Sequence, residues 1–134
     1  MDLNRRLDLW VFVVLMLANI QAVGCAKTTD IPADIDFRYE SDPTHPRVGP
    51  NIFTVTLTSK AGERLAGAYV SLEGNMSHAG MRPVFGDARE IEPGRYQGTL
   101  DLNMRGDWTV LFHIRLANGV AFDRQLDIRN MQAN

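Results

Sequence analysis

The chain has 134 residues, 45% of them hydrophobic and 22% charged, and a formal net charge of −2. That length suits one domain with a modest core. Charges of both signs are spread along the chain without a basic run, which argues against a nucleic-acid partner.

The amino terminus reads as an export signal. Arg5 and Arg6 precede an apolar run from Leu9 to Ala18, and the small residues Ala22 and Gly24 lead to Cys25. A membrane span needs roughly 20 apolar residues, and Asn19 and Gln21 interrupt this run before that length is reached. Ala22-Val23-Gly24-Cys25 resembles a bacterial lipobox, whose cysteine is acylated and becomes the new first residue, although Ala22 stands where leucine is commonest. Acylation also accounts for the single cysteine, an odd thiol in an exported chain. The expected organisation is a signal-peptide helix over residues 1–24, a lipidated Cys25 with a polar tether to residue 33, and a domain over residues 34–130. The lipid anchor makes a membrane the first partner and places the domain in the cell envelope, facing the periplasm. Ala26-Lys27 lacks the aspartate that commonly retains lipoproteins at the inner membrane, which tilts the expectation toward the outer one.

Beyond the tether, apolar residues alternate in short blocks, the pattern of half-buried strands. The blocks are marked by Ile35, Phe37 and Tyr39; by Phe53, Val55 and Leu57, with Thr54, Thr56 and Thr58 on the other face; and by Val70 and Leu72. Ile91 marks a short fourth block, and Tyr96, Leu100 and Leu102 a fifth. Trp108, Val110, Phe112 and Ile114 form the strongest, and Val120, Phe122, Leu126 and Ile128 the last. Turn residues separate them, and Asn118-Gly119 is a hairpin signal. No segment after Cys25 has helical periodicity. The predicted fold is all-β, an antiparallel immunoglobulin-like β-sandwich of about seven strands.

One segment breaks the alternation with a set of soft donors: Met76, His78 and Met81, within Gly74–Met81. Met76 and His78 are two apart and share a side in an extended chain, and Gly80 allows a turn that returns Met81. Two thioethers and an imidazole suit Cu(I) better than magnesium, calcium or zinc. If each connection reverses direction, His45, Met76, His78, Met81 and Met104 reach one pole of the sandwich, while His113 points away from them. A thioether is also an adaptable core filler, so the same methionines could close the end of the sandwich or supply apolar contact to a partner protein. Nothing marks an enzyme: Ser77 and His78 are adjacent, but no matched carboxylate or oxyanion hole accompanies them.

The ordered motifs Pro46-x-x-Gly49-x-Asn51, Met76-x-His78-x-x-Met81, Pro93-Gly94-x-Tyr96 and Met104-x-Gly106-x-Trp108 resemble YtkA-like domains. These are related to FixH-like proteins and similar in architecture to CopC-type copper carriers. The resemblance covers Asp34 to Arg129. It implies a small immunoglobulin-like module of the bacterial envelope, in a setting of copper handling or oxidase maturation. The expected cargo is copper, the expected partner a copper-transport or oxidase-assembly protein. The alternative expectation is a metal-free interaction module whose methionine loop docks on a membrane protein.

Overall fold

The structure, a computed structural model, describes residues 31–133. The expected signal peptide and Cys25 lie outside the described residues. Seven strands follow one another: β1 (Ile35–Asp42), β2 (Gly49–Ser59), β3 (Tyr69–Met76), β4 (Val84–Glu92), β5 (Arg95–Leu102), β6 (Gly106–Arg115) and β7 (Ala121–Met131). Every pairing is antiparallel, in the order β1-β2-β5-β4-β3-β6-β7. The expected all-β fold is present, with one refinement. The two layers are not separate sheets but parts of one curled sheet, because β4 pairs with β3 over Val84–Ala88 and with β5 over Arg89–Glu92.

Alternation builds the core. In β6, Trp108, Val110, Phe112 and Ile114 are buried while the residues between them are more open. Phe53, Val55 and Leu57 of β2, Val70 and Leu72 of β3, and Tyr96, Leu100 and Leu102 of β5 meet them in one cluster. Burying a side chain of this size contributes about 1.5–3 kcal/mol. Three apolar markers fall elsewhere. Ile91 sits at a register shift between β4 and β5 and is exposed, Val120 lies in the turn before β7, and Tyr39 stays largely open beside Phe37 and Phe112. Thr54 lies on the other face of β2, as alternation predicts, and is covered there, its hydroxyl accepting a hydrogen bond from Gln97 across the ladder.

The alternating directions define two poles. The connections after β1, β3 and β5 (residues 43–48, 77–83 and 103–105) close the upper one. Those after β2, β4 and β6 close the lower one, where β1 also begins. Asn51, fully buried, shapes the first upper loop: its side chain accepts from the Arg47 amide and donates to the Arg47 and Gly49 carbonyls. At the lower pole the Tyr96 hydroxyl donates to the Leu65 carbonyl at 2.7 Å and accepts from the Ala68 amide at 2.9 Å. The Pro93-Gly94-x-Tyr96 motif therefore belongs to the pole opposite the methionine loop.

Candidate functional site

Inner-face parity carries β3 up to the rim. Val70, Leu72 and Gly74 are buried, and Met76, next in that series, is half-buried and packs on the core at the last position of the strand. Across the ladder it stands opposite Trp108. The chain then leaves the sheet, and the Ser77 amide donates to the Asp107 carbonyl at 3.3 Å, holding the start of the loop against β6. His78 follows, exposed.

Met76 and His78 both approach Gly106. A Cβ built on that glycine would lie 3.2 Å from the Met76 methyl carbon and 3.6 Å from His78 Cε1. Gly106 itself has a φ of +124° and opens β6 at an irregularity in its pairing with β7. A bulge of this kind re-aims nearby side chains. The glycine thus leaves the gap into which thioether and imidazole lean. Sequence reading placed Gly106 in a motif but gave it no role, since residue type does not display a backbone angle.

The remaining expected donors are arranged less closely. The Met81 amide reaches back to the His78 carbonyl at 3.5 Å, so the loop turns at Gly80, yet the Met81 side chain is 38% exposed and does not join the contact over Gly106. Met104 is 44% exposed, and its backbone does structural work: its carbonyl accepts the Trp108 indole N–H at 2.9 Å. His45 lies exposed in the first upper loop, at the same pole. Asp107, beside His78, is held below its ordinary carboxyl value, first by the Asn130 amide, then by Arg129, with the charge of His78 adding to the effect.

His113 is directed away from this cluster, as strand parity requires. On the outer face of β6 its Nε2 lies 2.8 Å from Glu73 of β3 and its Nδ1 2.8 Å from Asp123 of β7. Among the described residues no three His, Cys, Asp or Glu side chains gather in a way that would hold a metal ion.

The YtkA-like family model matches residues 30–113, well over half of the chain. The chain belongs to the YtkA-like family. Among the curated proteins, none matches it. The YtkA-like match takes in the upper-pole loops, Gly106 and Trp108, and stops at His113 in β6, short of β7. Family membership is consistent with a cell-envelope domain.

Proposed function

We propose that this chain is an envelope lipoprotein, acylated at Cys25, that receives Cu(I) at its upper pole and passes it on without chemical change. The observation that carries this reading is the approach of Met76 and His78 over Gly106 at an exposed rim. A thioether and a neutral imidazole are donors suited to Cu(I). Met81, one turn further along a loop anchored at both ends by strands, is the third donor, and Met104 and His45 are outer candidates on neighbouring loops. A site this open favours exchange over storage. Its thioethers carry no proton and cannot be lost to disulfide formation in an oxidising compartment.

Titration of the protein with Cu(I) against a colorimetric chelator tests the reading. The expected result is binding that weakens at least ten-fold in Met76→Ala plus Met81→Ala. Unchanged affinity in that variant eliminates the site.

The exposure of Met81 and Met104 favours one further reading, a metal-free module that docks on a membrane protein through this loop. Copper-independent capture of one partner, abolished by replacing residues 75–81, would support it.

A further inference from the structure

The three loops that close the upper pole carry charge of a single sign. Residues 43–48, 77–83 and 103–105 contain Arg47, Arg82 and Arg105 and no Asp or Glu. The three arginines are exposed, and none of them pairs with a carboxylate among the described residues. The chain as a whole is net negative, at −2, so this pole stands apart from the rest. Of the acids near it, Asp107 is engaged by the Asn130 amide and Arg129, while Asp42 and Asp101, exposed at the upper ends of β1 and β5, offset part of the charge and leave the arginines in excess.

The residue types are also those of a contact surface. Arginine and methionine are enriched at protein interfaces and lysine is depleted. All three cations here are arginines, and Met81 and Met104, both exposed, are chain neighbours of two of them, Arg82 and Arg105. A free guanidinium offers a planar fork that matches a carboxylate at two points.

We propose that the upper pole is a docking surface for an acidic protein, one that presents carboxylates around a soft-donor metal site of its own. The docking half of this proposal stands on charge and residue type; the metal half rests on the copper reading above. The membrane that holds the anchor is a poor occupant. The chain enters β1 at the lower pole, and eight residues of strand at about 3.4 Å each set the upper pole roughly 27 Å away. Screening at physiological salt acts over about 8 Å, so anionic headgroups exert little pull on the upper pole while the lower pole faces the membrane.

The rim has a consequence for hand-over. Arg47, Arg82 and Arg105 repel a free cation but attract a carrier whose carboxylates outweigh the cation it holds. Cu(I) then moves by ligand exchange within the complex: a bond to the partner's donor breaks as one to Met76 or His78 forms. No electron moves, and the thioether releases no proton.

The test uses the full chain in a nonionic detergent and two fluorescently labelled peptides. One consists of glutamates with two methionines, and in the other glutamine replaces each glutamate. At low salt the glutamate peptide should bind on the order of ten-fold tighter, and the preference should collapse as salt rises. It should vanish in R47Q/R82Q/R105Q and persist in R64Q/R89Q/R115Q, which removes as much charge away from the pole. Equal binding of the two peptides, or a preference that survives the first triple variant, overturns the proposal. So does binding of phosphatidylglycerol vesicles through the same arginines with no preference between peptides, which identifies a lipid surface instead. The metal-free peptide measurement is independent of copper. A peptide preference without Cu(I) affinity sinks the copper reading and leaves the docking surface standing, and the reverse pattern does the opposite.

Discussion

Gly106 occupies a region of backbone space that side chains other than glycine rarely enter, and it does so beneath two candidate ligands. Adding one methyl group there has two separable costs, the strain of positive φ and the contact with the Met76 methyl carbon at 3.2 Å. Gly106→Ala should lower stability by about 1–3 kcal/mol in urea unfolding. In a Met76→Ala background the contact is relieved and the strain remains, so part of that loss should return. A loss identical in both backgrounds would show that Met76 does not lean on Gly106. At this scale the donor residue types were legible in the sequence, because methionine and histidine carry their chemistry wherever they fall. Their convergence was only half legible. Spacing put Met76 and His78 on one side, but the gap that receives them is a property of the backbone of another strand.

Strands β3, β6 and β7 are joined on their outer face by a single imidazole. Both ring nitrogens of His113 lie 2.8 Å from carboxylate oxygens, and only the protonated ring can donate from both. Burial by itself would lower the pKa of His113, but its hydrogen bonds to Asp123 and Glu73 outweigh that and raise it above the ordinary 6.5. Glu73 is correspondingly held low, first by the Asn75 amide and then by His113. A pKa raised by folding adds stability below the unfolded value, and that stability drains away as pH climbs through the raised one. The difference in urea midpoint between the protein and His113→Gln should therefore be widest near about pH 6 and narrow at alkaline pH. A difference that stays constant with pH would remove the clamp. Alternation was enough to read the strands and the outward direction of His113. It could not show β4 crossing from one layer to the other. A Cβ on Gly86 would fall 2.3 Å from the Thr99 carbonyl oxygen, and one on Gly98 3.0 Å from that of Asp87. Missing side chains let the backbones approach there, and a pattern of apolar residues is silent about side chains that are absent. The bulge at Ile91 escaped the same reading because a register shift belongs to the backbone and leaves no mark in residue type.

Over the whole molecule, counting reversals placed the candidate donors at one pole, and the antiparallel ladder has that arrangement. The family match ends at His113, yet β7 runs on and pairs with β6 along most of its length. It supplies Phe122 and Met131, both 2% exposed, to the core. Ending the chain after Leu116 would forfeit about 1.5–3 kcal/mol for each of these side chains, besides the ladder itself. Such a truncation should lack a cooperative thermal transition. A sharp transition near that of the full chain would mean that β7 is dispensable. The hydrogen bond between the Trp108 indole and the Met104 carbonyl gives this architecture an optical readout. The sequence has two tryptophans, and the other, Trp10, falls in the segment read as a signal peptide. In a chain cleaved before Cys25, as proposed, one indole emits, from a position opposite Met76 and bonded to the loop of Met104. Its fluorescence would report on events at the rim with no dye attached.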